Sequence, residues 1–93
     1  MSALPADVCE FIASARLGRL ATADGAGQPL VVPFCYAWDG EALVSAIDAK
    51  PKRAGDLKRV RNIRENPKVS VVIDHYDEDW RRLRWVIIQG LAE

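Results

Sequence analysis

Two turn motifs, Asp24-Gly25-Ala26-Gly27 and Asp39-Gly40, separate three runs of β-forming residues, and this spacing constrains the fold more than any other feature. A parallel crossover needs a dozen or more residues, so connections this short permit only antiparallel neighbours. Aspartate and glycine tolerate the left-handed backbone that tight turns require, and Asp-Gly is a strong hairpin signal. Residues 19–23, 30–38 and 42–47 are therefore expected to form an antiparallel meander. Val31, Val32, Phe34, Tyr36 and Trp38 supply the β-formers of the second strand. Pro33 interrupts it and removes a ladder donor, which places that strand at a sheet edge or at a bulge.

Helical periodicity appears twice. Residues 5–16 carry Val8, Phe11, Ile12 and Ala15 on one stripe, with Pro5 at the start and Gly18 as the stop. Residues 54–65 carry a narrower stripe of Leu57, Val60 and Ile63, closed by Asn66-Pro67. Two more strands follow, over 69–74 and 83–91, joined by an acidic loop at 75–79. Five antiparallel strands and one crossover helix predict a mainly β (α+β) chain that curls into a small barrel. At 93 residues it forms one domain, 1–93.

Hydrophobic residues make up 49% and charged residues 28%, which excludes a disordered chain. No apolar run approaches the roughly 18 residues of a membrane span, and the N-terminus carries no basic, apolar leader, so a cytoplasmic location without membrane contact is expected. Cys9 and Cys35 have no metal or redox spacing and are expected as buried thiols in a reducing cytosol. His75, between Asp74 and Asp77, reads as an exposed loop histidine or as a general base. No second imidazole supports a metal site, and none is expected. No set of nucleophile and base assembles, so no catalytic residue is assigned.

The charge is strongly segregated. Residues 50–68 hold eight basic side chains against Asp56 and Glu65, a local balance of +6 within a chain of net charge zero. Three readings fit: a solvated face, a nucleic-acid contact, or a clamp for a phosphorylated or polyanionic small ligand. No nucleic-acid recognition motif accompanies the cations, which disfavours the second.

The segment Leu43-Val44-Ser45-Ala46-Ile47, the basic crossover, and Arg59-Val60-Arg61-Asn62-Ile63-Arg64-Glu65-Asn66-Pro67-Lys68-Val69-Ser70-Val71-Val72 resemble the pyridoxamine-phosphate-oxidase-like flavin-binding split barrels. So do Pro33-Phe34-Cys35-Tyr36-Ala37-Trp38-Asp39-Gly40 and the opening helix followed by Gly18-Arg19-Leu20-Ala21-Thr22. The likeness runs in order through nearly the whole chain and is greatest to the branch that uses the deazaflavin coenzyme F420. Relative to that family the chain is expected to stop before a last strand and helix. The resemblance implies an antiparallel split β-barrel with an N-terminal helix and one crossover helix, and a homodimer that holds the cofactor in a groove between subunits. It further implies an oxidoreductase that passes hydride to a small organic acceptor. The alternatives are an FMN-dependent enzyme of the same family and a cofactor-binding module without turnover. Carried over by position, Val32 and Pro33 lie along the ring, Ser45 lies near the phosphate-bearing chain, and Lys50, Lys52, Lys58 and Arg59 clamp the anion. Asn62 reads as a structural residue or a ligand, and Trp85 as a groove residue or a core tryptophan.

Overall fold

A computed structural model describes residues 4–45 and 58–93 of the chain. Helix α1 (Ala6–Ser14) leads into strands β1 (Leu17–Ala23) and β2 (Pro29–Cys35), then the short strands β3 (Ala37–Trp38) and β4 (Leu43–Val44). Helix α2 (Lys58–Glu65), β5 (Lys68–His75), a single 3-10 turn (Trp80–Arg82) and β6 (Arg84–Leu91) complete it. All strand pairs are antiparallel and fall into two sheets, one ordered β2-β1-β5-β6 and one of β3 with β4. The structure thus splits the expected meander in two. The run 30–38 breaks at Tyr36, whose N–H donates to the carbonyl of Arg16, so β3 leaves the larger sheet and pairs with β4 alone.

Turn chemistry is local, as the sequence implies. Asp24 accepts N–H bonds from Ala26 and Gln28, both at 2.9 Å, and Asp39 accepts from Glu41 and Ala42 at 2.8 and 2.7 Å. These backbone donors hold both carboxyls below the usual carboxylate range, helped at Asp24 by the Lys58 charge. Gly40 sits at φ +100°, a conformation that glycine adopts without strain. β2 lies at a sheet edge, where the missing N–H of Pro33 costs no ladder bond to a second neighbour.

Strand alternation points Gly18, Leu20 and Thr22 of β1, Phe34 of β2 and Val71 and Ile73 of β5 to one side. Ile12 of α1 and Tyr36 close the core, with Val32, Trp38, Leu43, Val86 and Ile88 around it. Gly18 is required by close approach: a Cβ there would meet Phe34 Cε1 and the Val72 carbonyl, both at 3.2 Å. The second helix is fixed by polar contacts. Asn62 Nδ2 donates to Thr22 Oγ1 at 3.0 Å, both side chains buried, and Glu65 accepts the Gly25 N–H at 2.8 Å. Asn62 is therefore structural.

Helix α1 ends at Ser14, two residues before the expected last helical residue, Arg16, because Ala15 is extended and feeds β1. The carbonyls this frees find other donors: Ser14 Oγ and the Ala15 N–H reach Phe11, and the Tyr36 hydroxyl reaches Ile12 at 2.7 Å. Burial raises the Tyr36 pKa above 10.0. A group whose folded pKa is raised contributes stability that is complete below its unfolded pKa and is lost as pH rises through the folded one. Tyr36→Phe is expected to cost about 1–3 kcal/mol at neutral pH, since it leaves the buried Ile12 carbonyl unpaired. The difference between wild type and variant should shrink above about pH 10. Urea denaturation across pH measures both.

Candidate functional site

The other side of the four-stranded sheet carries the chemistry. Register aligns Pro33, Arg19, Val72 and Ile87 in one row across it, and Val31, Ala21, Ser70 and Gln89 in the next. Cys35 pairs with Leu17, and Asp74 with Trp85. Large apolar side chains stand in water on this face: Val31 is 62% exposed, Ile87 59% and Trp85 64%, with Leu17 and Leu91 beside them. A β-strand turns alternate residues to opposite faces, and the β-formers here populate both. Among the described residues no helix is long and apolar enough to cross a membrane.

A charged pair interrupts the apolar face. Arg19 Nη1 donates to Asp74 Oδ1 at 3.0 Å, about half exposed on each side. Next to it a cleft of about 530 Å³ opens under the loop joining β5 to β6, lined in part by Val72, His75, Tyr76 and Trp85. The loop braces itself. Asp79 accepts the Arg81 N–H and two of its guanidinium nitrogens at 2.9–3.1 Å, which holds the Asp79 carboxyl below the usual range. His75 Nε2 lies 3.8 Å from Asp77 Oδ2 at the end of β5, half exposed.

The residues expected from sequence are distributed as follows. Pro33 lies on the outer face, whereas the Val32 side chain packs against the core, so Val31 is the side chain that shares Pro33's face. Ser45 is exposed and its Oγ donates to the Cys35 carbonyl at 2.8 Å, at the far end of β2 from the Asp24 turn. Lys58 and Arg59 form the start of α2, half-buried, with Lys58 in electrostatic reach of Asp24. The two anchor points are separated by the length of β2, about 20 Å for seven residues. Lys50 and Lys52 lie outside the described residues. Trp85 is an outer-face residue and not a core one. Cys35 is exposed on the same face, a correction to the buried thiol expected from its apolar neighbours, since strand parity turns Phe34 and Tyr36 inward instead. Sequence reasoning missed Arg19 and Ile87, and weighed Asp74 only as a partner of His75. Their only signal is strand parity, and parity shows a face once the pairing is known.

A family model described as pyridoxamine 5'-phosphate oxidase matches residues 4–93. A 5a,11a-dehydrotetracycline/5a,11a-dehydrooxytetracycline reductase from Streptomyces rimosus is 32% identical over 77 residues, which are 82% of this chain and 53% of that protein. An FAD-binding protein from Mesorhizobium loti superposes with a TM-score of 0.71 at 32% identity, covering 95% of this chain and 59% of that one. A conserved hypothetical protein from Mycobacterium tuberculosis gives a TM-score of 0.69 at 35% identity, covering 100% of this chain and 52% of that one. The chain thus spans between half and three-fifths of the length of these relatives. With the two antiparallel sheets around one core and the match over residues 4–93, the chain is a split-barrel protein that belongs to the pyridoxamine 5'-phosphate oxidase family.

Proposed function

We propose that the protein is an oxidoreductase that holds a reduced deazaflavin of the coenzyme F420 type in a groove between two copies of this chain and reduces a small organic acceptor by hydride transfer. The observation that supports it is the exposed apolar outer face, in a member of a flavin-binding family. Exposed apolar side chains grouped on one face in this way mark an interface, and a two-fold copy would cover them with the same residues.

The residues present fit such a cofactor. Val31 and Pro33 offer a flat apolar surface to a ring, with the Val32 backbone between them. Lys58 and Arg59 stand half-buried at the start of α2 and, with Lys50 and Lys52 on the connection before it, would hold the phosphate. Ser45, whose Oγ donates to the Cys35 carbonyl, stands at the opposite end of β2 from Lys58 and Arg59. Among the described residues Arg59, Arg61 and Arg64 pair with no carboxylate. A local balance of +6 exceeds what a single phosphate needs and suits the longer acidic tail of the deazaflavin, which favours coenzyme F420 over FMN. When bound, the ring supplies the hydride. The chain supplies position, an apolar surface that excludes water, and a cationic field.

Fluorescence titration with coenzyme F420, FMN and FAD tests this reading. F420 should bind at least about tenfold more tightly than FMN, with an affinity that falls as salt screens the cations. Preference for FMN would assign the protein to the FMN-dependent enzymes of the family. Affinity for none of the three would remove the oxidoreductase reading, and tight binding without reduction of enones or quinones would leave a cofactor-binding module.

A further inference from the structure

Asp24-Gly25 and Asp39-Gly40 are the same dipeptide, each in a turn between two strands, but the chemistry open to them differs. In an Asp-Gly sequence the glycine nitrogen can attack the aspartate Cγ, because no side chain shields it and its backbone turns freely. The N–Cγ bond forms, the Cγ–OH bond breaks and water leaves, which closes a succinimide ring. Water then adds to either ring carbonyl. Addition at Cγ restores aspartate. Addition at the main-chain carbonyl carbon breaks its bond to nitrogen and leaves isoaspartate, with an extra carbon in the backbone. The sequence needs no oxidant or reductant, and the net mass is unchanged.

The carboxyl under attack is held alike in both turns. Oδ1 of Asp24 accepts N–H bonds from Ala26 and Gln28, both at 2.9 Å, and Oδ1 of Asp39 accepts from Glu41 and Ala42 at 2.8 and 2.7 Å. The attacking nitrogen is not held alike. The Gly25 N–H donates to Glu65 Oε2 at 2.8 Å, a bond that attack would have to break. The Glu65 side chain also covers that glycine, with Oε2 3.6 Å from where a Cβ would stand. The Gly40 N–H donates to nothing among the described residues. Gly40 sits at φ +100°, and a Cβ there would meet nothing within 4 Å. Asp39 is exposed, whereas Asp24 is half-buried and in reach of the Lys58 charge.

We propose that Asp39, and not Asp24, is a site of spontaneous isomerisation to isoaspartate in the folded chain, selected by a free Gly40 nitrogen where Glu65 occupies that of Gly25. The consequence falls on β3 and β4, which pair through Ala37–Val44 and Trp38–Leu43. A carbon inserted between them disturbs a two-stranded sheet that is marginal by itself, and with it the packing of Trp38 and Leu43 on the core. This holds whatever cofactor the chain takes.

Ageing the folded chain in neutral buffer, followed by labelling with an isoaspartyl-specific carboxyl methyltransferase and peptide mapping, tests it. Isoaspartate should accumulate at Asp39 at least about fivefold faster than at Asp24, the factor that one hydrogen bond on the attacking nitrogen is worth. The same chain held unfolded in urea should convert both sites at similar rates, since only the dipeptide acts there. Glu65→Ala should raise the Asp24 rate toward that of Asp39 and leave Asp39 unchanged. Glu65→Gln keeps an acceptor oxygen and should stay close to the wild type. Aged chain enriched in isoaspartate at position 39 should unfold at lower urea than fresh chain, and an unchanged midpoint would overturn the effect on β3 and β4. The site itself is overturned if the folded chain converts both positions equally, or if Asp39 stays intact while the unfolded chain converts. A preference for Asp39 that persists in urea, or a Glu65→Ala variant with Asp24 as slow as in the wild type, would overturn the selection by Glu65.

Discussion

Ile87→Lys is expected to leave the chain folded, to make it monomeric and to weaken deazaflavin binding by at least about a hundredfold. Ile87 is 59% exposed on the outer face, opposite Val72, and its side chain takes no part in the core. A substitution at such a position changes folding stability by about 0.5 kcal/mol or less. In a two-fold interface, however, each copy would bury one unpaired ammonium, at a cost of several kcal/mol per charge. That is enough to shift association a hundredfold or more. Light scattering at micromolar concentration reads the oligomeric state, and fluorescence titration reads the cofactor. A dimer that persists with unchanged cofactor affinity would place the groove elsewhere on the barrel.

Asn62→Ala should produce the largest loss of stability among polar substitutions, roughly 2–4 kcal/mol. The variant removes the donor to Thr22 Oγ1 and leaves a space where the amide was, in a contact 2–3% exposed. A small domain is held by about 5–15 kcal/mol in all, so the urea midpoint should fall markedly. The same contact ties α2 to β1, and with it the position of Lys58 and Arg59. Cofactor affinity should therefore fall in Asn62→Ala even where the fold is retained. Adding Thr22→Val removes the orphaned hydroxyl, so the double variant should lose less than the sum of the two single losses. Simple additivity would show that the pair does not act as a unit.

How much of this was legible beforehand varies by element. Asp24 and Asp39 with their glycines were readable as turns, because an aspartate that accepts backbone N–H bonds two to four residues ahead is a local event. Pro33 announced an edge strand, since the constraint lies in its own ring. The stop of α2 at Asn66-Pro67 was equally local. The stop of α1 was not. Gly18 looked like a cap, whereas its role is to let β1 approach Phe34 and the Val72 carbonyl; the helix ends earlier, at the extended Ala15, and the Tyr36 hydroxyl from a distant strand satisfies the Ile12 carbonyl.

The candidate site divides the same way. The sequence by itself determined the β-forming runs, their antiparallel sense, the segregated cations and the family resemblance, all of which depend on residue type and short spacing; that the run 30–38 divides between two sheets was decided by the tertiary structure. Only the tertiary structure decided which face is the inside. β2 is apolar at Leu30, Val31, Val32, Pro33 and Phe34, so alternation cannot say which set is buried until Gly18, Leu20 and Thr22 are seen to pack on one side. The pairing of β1 with β5 then turns Arg19 toward Asp74, fifty-five residues away, and brings Trp85 out of the core. Contacts at that separation are set by the register of a whole sheet, and register is fixed by the summed burial of all its strands rather than by any one segment.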